Sequence, residues 1–493
     1  MGIHDIVEKR KLYKGAKLLH DTVVHTMGPK GKDVLIRNKY GQVSTTHDGI
    51  TVAKAVWHKD KTVQNGIELL RDGGKGMNSS EDGSTTVQSL AFNLIKNLRY
   101  SRKHPLLIRE ELDSLVPGIL DYIDMNTRTI ERTERAVYDV AKTSAKDNDI
   151  AKVVTEMVVG TGYKGAITVE TRLGVDTSCE LVDGYLFNSG FTSKLFITDQ
   201  KDKSVTLDNP AILLINGRAG EVATYAQFIN DTVEAGHNNV LLVGDDIDND
   251  LQNTLILTSV KSEVKVVFVR NTLGYDYLND LEAVTGATIY SPKATNEMPT
   301  IEQAGYADTI IVKETETLII NGQGEKLNEY IKSLDETTDA ERISFLTGKI
   351  GHITVGGVTE TQAKERKDRV DDAIGAARAA LKGGIVPGAG ITLAAYRTGT
   401  ASVDKALRAP YGQLLKNAGI KYRLPTNDGR GIDLNDGKEV YMEMAGIVDA
   451  SPILKEIVRN AFAVAGTFLT VGSIVNEKEM TQEQLDNLLK MSQ

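Results

Sequence analysis

Apolar positions recur at helical spacing through most of the first 126 residues. Ile6 to Thr26 forms one amphipathic stretch that ends where Gly28-Pro29-Lys30-Gly31 forbids a helix. Val34 to Arg37 and Gln42 to Thr46 alternate as a short hairpin, with Asn38 to Gly41 as its turn. Ile50 to Trp57, Val63 to Leu70 and Thr85 to Leu98 return to helical spacing. From Gly165 to about Gly348 the pattern changes. Ala166–Val169, Ala211–Ile215, Val240–Val243 and Val264–Val269 read as strands, with helical runs at Glu221 to Ala235 and Leu251 to Val260. Strand–helix–strand–helix–strand predicts a parallel-sheet α/β domain. Helical spacing resumes at Thr359 to Lys382 and continues to the end of the chain. A helical start, an α/β middle and a helical finish predict an inserted domain, with the two ends folding together.

Composition narrows the class. At 493 residues the chain suffices for roughly two to four domains with buried cores. Its 41% hydrophobic and 25% charged residues are those of a globular protein, and no apolar run reaches the roughly 18 residues of a membrane span. A net charge of -9 argues against nucleic acid or anionic membrane as the main partner, since both need a concentrated basic face. Met1-Gly2-Ile3-His4-Asp5 has no secretory pattern, and Ile6 stands where a myristoylation motif needs Ser or Thr. Cys179 is the only cysteine, so no disulfide framework exists and a cytoplasmic location is expected.

Five polar or glycine-rich segments carry candidate chemistry. Thr26-Met27-Gly28-Pro29-Lys30-Gly31-Lys32 bends so that backbone N–H groups can approach a phosphate, or is only a tight turn with solvated lysines. Glu81-Asp82-Gly83-Ser84-Thr85-Thr86 opens a helix, where N–H groups and the dipole favour an anion; an ordinary N-cap reads the same way. It is no Walker A loop, because no Gly-Lys-Ser/Thr ends it. Thr46-His47-Asp48-Gly49-Ile50-Thr51-Val52 holds an Asp-Gly pair that also suits a turn. Val370-Asp371-Asp372-Ala373 begins an Ala-rich stretch, where acids commonly serve the helix dipole. Gly384-Ile385-Val386-Pro387-Gly388-Ala389-Gly390 is a further glycine-rich loop.

In this order and spacing the five segments, with Gly165-Ala166-Ile167-Thr168-Val169-Glu170, resemble the signatures of the GroEL-like, group I chaperonins along essentially the whole chain. The resemblance implies the chaperonin fold, multi-domain α and α/β. It would comprise a mainly helical equatorial ATPase domain (residues 1–126 and 384–493), a small intermediate domain (127–183 and 350–383) and an inserted α/β apical domain (184–349). It implies an ATP-dependent machine that captures non-native polypeptides in a homo-oligomeric, sevenfold ring, with ATP, Mg2+ and an accompanying K+ as cofactors and a co-chaperonin lid as partner. By the same resemblance, Thr26, Met27, Gly28 and Pro29 lie against the nucleotide, and Asp82, Gly83, Ser84, Thr85 and Thr86 hold the phosphates, with Asp82 on the metal. Asp48 stands near the γ-phosphate and Asp372 activates the attacking water. Gly388, Ala389 and Gly390 approach the ribose, Asp433 and Leu434 the adenine, and Asp449 the ribose. Phe191, Leu195, Phe196, Tyr225, Ile229, Leu255 and Ile256 would form the polypeptide-binding face, because a chaperone must expose apolar surface; for Leu255 and Ile256 the other reading is apical core.

Three positions in the nucleotide segments depart from the family pattern. His47 replaces a lysine, Glu81 a glycine and Ala389 the middle glycine of its loop. The first two favour an alternative, a chaperonin-fold scaffold with little productive ATPase cycle, whereas Asp82 and Asp372 favour an active ATPase. The stretch from Gly390 to Asp433 is shorter than in a typical group I subunit, Gly412 stands where an arginine is common, and Lys421 and Arg423 replace an acidic and a small residue. A double ring weakened toward single rings is the expectation.

Overall fold

The computed structural model describes residues 3–475, apart from 38–40, 42, 76–82, 131–133, 163–164, 166, 175, 200–202, 273, 294–297, 336–341, 344–345, 347 and 427. In chain order the first segment holds α1 (Ile3–Val23), β1 (Val34–Arg37), β2 (Val43–Thr46), α2 (Gly49–Ala55), α3 (Lys61–Lys75), α4 (Ser84–Leu98), α5 (Pro105–Met125), α6 (Glu134–Ala145) and α7 (Asn148–Thr161). The middle holds β3 (Ile167–Leu173), β4 (Ser178–Phe187), β5 (Val205–Asp208), β6 (Ala211–Ala219), α8 (Val222–Glu234), β7 (Asn239–Ile247), α9 (Asn249–Lys261), β8 (Lys265–Arg270), α10 (Tyr275–Thr285), β9 (Gly305–Val312), β10 (Thr317–Gly322), α11 (Leu327–Ser333) and β11 (Lys349–Gly357). The chain closes with α12 (Glu360–Gly383), β12 (Ile385–Pro387), α13 (Ile391–Ala395), α14 (Ala401–Leu407), α15 (Ala409–Asn417), β13 (Arg430–Ile432), β14 (Glu439–Tyr441), β15 (Val448–Ala450) and α16 (Ser451–Thr470).

These elements form two compact units. One joins residues 1–163, 169–178 and 354–493; the other comprises 164–168 and 179–353. The chain therefore leaves a helical unit, builds a second unit and returns.

The helical unit is centred on α16, which packs on α4 and α5 through Ile453, Leu454, Ile457, Ala461, Phe462 and Ala465. Its spacing of apolar residues three and four apart explains the buried stripe. Helices α1 and α3 approach unusually closely. A Cβ on Gly15 would overlap the carbonyl of Val63, and one on Gly66 the carbonyl of Leu12, so two small residues let the backbones touch. Helix α12 lies on α6 and α7 and buries Val370, Ala373, Ala376, Ala377 and Ala380. The short pair β12–β15, with Val386 opposite Asp449, carries the glycine-rich loop at 384–390 beside residues 447–450.

In the inserted unit β6, β7 and β8 are parallel, with Ile212 opposite Leu241 and Leu241 opposite Val267. Their near-continuous Val/Ile/Leu runs are buried, as expected for strands covered on both faces. Helices α8 and α9 make the two crossovers. The sheet is not parallel throughout. β9 pairs antiparallel with β6, β5 and β10, and β10 pairs antiparallel with β4. Among the described residues no helix is long and apolar enough to cross a membrane.

Candidate nucleotide site

A cavity of about 680 Å³ lies within the helical unit. That is the size range of sites for nucleotide-sized ligands. Thr26, Met27, Gly28 and Pro29 line it, with Asp48, Gly83, Ser84, Thr85, Thr86, Asp372, Ala389, Gly390, Asp433, Leu434 and Asp449. Segments scattered over more than four hundred residues of chain thus share one wall system. Asp82 and Glu81 lie outside the described residues. Gly388 is not at the surface of the cavity: its N–H donates to the Ile447 carbonyl at 2.9 Å, and it packs against the Val448 backbone behind Ala389.

Local chemistry explains each placement. After α1 the chain tightens into a 3-10 turn, where the Thr26 hydroxyl donates to the Val23 carbonyl at 2.9 Å. Gly28 then adopts φ +78°, a left-handed conformation costly for other residues, and a Cβ there would strike Leu414 of α15. Asn417 pins this loop by donating to the carbonyls of Val24 at 2.8 Å and Met27 at 3.0 Å. Asp48 caps α2: its carboxylate accepts from the N–H groups of Ile50 at 3.0 Å and Thr51 at 2.7 Å. Asp48 is thus a helix cap that also lines the cavity.

Helix α4 has Gly83 as its N-cap, in the left-handed region at φ +90°, and among the described residues no side chain caps it. Its first residues Ser84, Thr85 and Thr86 face the cavity. The first N–H groups of a helix and its positive dipole end fit an anion such as phosphate. On the opposite wall the Asp433 carboxylate accepts from the Asn435 N–H at 2.9 Å, shaping the turn between β13 and β14, while Leu434 is buried in a small apolar cluster with Ile391, Tyr411 and Met442.

The structure adds residues that the motifs did not mark. Glu365, Asp368 and Arg369 line the cavity from the same face of α12 as the expected Asp372, at the three- and four-residue spacing a helix imposes. That spacing was readable. The contribution of Lys142, Thr143, Lys146 and Asn148, from the end of α6 and the start of α7, follows no motif. His47 also lines the cavity. Burial, followed by the charges of Lys146 and Arg369, pushes its pKa below the usual histidine value, while Asp33, whose carboxylate lies 3.4 Å from Nδ1, opposes them.

The expected polypeptide-binding residues of the inserted unit are corrected by burial. Phe191, Phe196, Tyr225, Ile229, Leu255 and Ile256 all lie in that unit's core, with Tyr225 and Leu255 1% exposed. Only Leu195, 71% exposed, faces solvent. The reason is the α/β layer itself: α8 and α9 must bury one stripe each to cover the parallel strands, and Tyr225, Ile229, Leu255 and Ile256 are those stripes, while Phe191 bridges Val269 of β8 and Phe196 closes the 3-10 turn Lys194–Phe196. The apolar side chains that α9 does expose are Leu257 and Val260. Helix α9 packs beside the 3-10 turn Lys194–Phe196 that carries Leu195.

A helical unit interrupted by an α/β unit, with these segments around one cavity, is the architecture of a chaperonin. The family model described as the TCP-1/cpn60 chaperonin family matches residues 19–479, and the chain belongs to that family as a divergent GroEL-like member. Among solved structures it is similar to the chaperonin gp146 from the bacteriophage EL 2 (Pseudomonas aeruginosa), crystallised in the presence of ATP-BeFx. In crystal form II the TM-score is 0.64 at 18% identity, covering 96% of this chain and 98% of that one. Crystal form I gives a TM-score of 0.63 at the same identity and coverage.

Proposed function

We propose that this chain is the subunit of an ATP-driven protein-folding ring. The observation that carries the reading is the single cavity in which all but one of the described nucleotide-signature residues meet. The start of α4 at the cavity wall supports phosphate binding there, and the turn at Asp433 and Leu434 would take the base. Asp82 would hold Mg2+, which would supply neutralisation of the phosphate charge, and K+ would accompany it. Asp372 is half-buried on the cavity face of α12. It would orient the attacking water and take its proton as the bond between the γ-phosphorus and the bridging oxygen breaks, with Asp48 nearby.

The equatorial, intermediate and apical division stated above belongs to this proposal. So do non-native polypeptide clients, a sevenfold ring with weakened ring–ring stacking, a co-chaperonin lid and a cytoplasmic location. The apolar capture face is reassigned to the exposed Leu195, Leu257 and Val260. Three measurements on the purified chain test the proposal: steady-state ATPase, ATP-dependent refolding of a denatured client, and particle size by light scattering with and without nucleotide. Client capture without ATP turnover would instead establish the scaffold alternative that His47 favours.

A further inference from the structure

A second cavity, of about 340 Å³, lies in the helical unit and shares no lining residue with the nucleotide cavity. Its walls are single faces of α1, α4 and α15, each read at three- and four-residue spacing. Gly412, inside α15, forms part of one wall. A glycine in a helix interior weakens the helix. Nothing local demands one here: its φ is not left-handed, and an added Cβ would meet only the Tyr422 ring, at an ordinary 3.5 Å. Its effect is to leave space, at the position where the family commonly carries an arginine.

The floor of that space is apolar with one exception. Phe92 is 2% exposed, and its ring stacks on Tyr13 at 5.5 Å and on His20 at 4.2 Å. One turn earlier on α4, Ser89 also lines the cavity at 0% exposure, and among the described residues its hydroxyl has no hydrogen-bond partner. A buried hydroxyl left in this way is costly, and an acceptor inside the cavity would satisfy it.

The charge of the lining is unbalanced. Lys17, Lys96 and Lys416 face one carboxylate, Asp21. Asp21 is already engaged by Lys17 and by Nδ1 of His20 at 3.0 Å. Among the described residues no carboxylate pairs with Lys96 or Lys416. Burial first, then the charges of Lys96 and Lys17, lower the pKa of His20 against its bond to Asp21, so the ring adds no charge near neutral pH. Two ammonium groups without a counter-charge suit a dianion, and an apolar floor suits an organic body attached to it.

We propose that this cavity binds a phosphomonoester, with the phosphate held by Lys96 and Lys416, the Ser89 hydroxyl donating to one of its oxygens, and the organic group over Phe92. The inference does not rest on the nucleotide-site reading.

Calorimetry on the full-length assembled protein, with ADP in excess to fill the first cavity, tests it with two probes, phenyl phosphate and inorganic phosphate. Phenyl phosphate should bind, and more tightly than inorganic phosphate. Lys96→Met and Lys416→Met should each weaken it about tenfold, the loss of one charge-assisted contact. Gly412→Leu fills the space and should weaken it at least as much, in a protein that stays folded because the helix gains by losing its glycine. Ser89→Ala should lower affinity while the urea midpoint holds or rises, since the hydroxyl has no partner in the unliganded protein. Equal affinity for the two probes overturns the organic part of the assignment and makes free phosphate the ligand. No binding by the parent, or parental affinity in Lys96→Met and Gly412→Leu, overturns the site.

Discussion

Gly49 sits so close to Thr85 that a Cβ added to it would overlap Oγ1 of that threonine and stand 3.2 Å from Oγ1 of Thr26. Three segments separated in the chain thus touch at one missing side chain. Gly49→Ala must displace the Thr85 side chain at the start of α4, or α2 itself, and overpacking of this kind costs about 1–3 kcal/mol. The expected result is a lower denaturation midpoint together with weakened ATP binding, read by urea titration and calorimetry on the same sample. Normal affinity in that variant would show that the contact does not shape the site.

Asp372→Ala should leave ATP binding nearly intact and slow turnover by about 10²–10⁴-fold, the usual range for a positioned acid–base group. A single-turnover assay beside a binding titration separates the two effects. Parental turnover would reduce Asp372 to a helix-dipole partner.

Core and surface positions on α9 should behave oppositely. Leu255 is 1% exposed, so Leu255→Glu buries a charge in the inserted unit and should unfold or severely destabilise it, by about 3 kcal/mol or more. Leu257→Glu changes a residue 51% exposed and should leave the fold intact while weakening capture of denatured protein. Circular dichroism with a client-capture assay checks both. Equal effects of the two substitutions would contradict the burial pattern.

Acidification should destabilise the helical unit. Burial lowers the pKa of His20, whose ring stacks on Phe92 at 4.2 Å, despite the opposing hydrogen bond to Asp21. His47 is lowered too, first by burial and then by Lys146 and Arg369. The folded pKa values lie below the unfolded value of about 6.5, so the unfolded chain takes up protons first as pH falls. Stability is complete above that value and declines as pH drops from about 6.5 toward the folded values. Urea midpoints across this window should fall, and His20→Gln should flatten the slope. A midpoint that rises on acidification would reverse the assignment.

Ala389 has φ +55° in the wall of the cavity. Ala389→Gly removes left-handed strain of about 1–2 kcal/mol, partly offset by the greater freedom of glycine in the unfolded chain, about 0.4–1 kcal/mol. A net gain of up to about 1 kcal/mol in unfolding free energy is expected. A loss would mean that the methyl group packs productively.

Much of this molecule was determined locally and so was legible in the chain. The helix ending before Gly28, the β1–β2 pair, the α4 start at Ser84 and the parallel β6–β7–β8 core follow from periodicity, glycine conformation and turn chemistry, which act over a few residues. Each signature is likewise a short loop or cap whose backbone bends locally, but that these segments line one cavity depends on tertiary packing. What only the tertiary structure decided depends on partners distant in sequence. The antiparallel strands β9 and β10 are set by pairing, not by local pattern. Tyr225 and Leu255 look alike in the sequence whether they face a sheet or solvent; the α/β packing turned them inward and left Leu257 outside. The placing of Lys146 in the cavity came from how α6 packs on α12, since a lysine after a helix carries no signal of what lies opposite it. Periodicity reports which residues share a face, and only packing determines what that face meets.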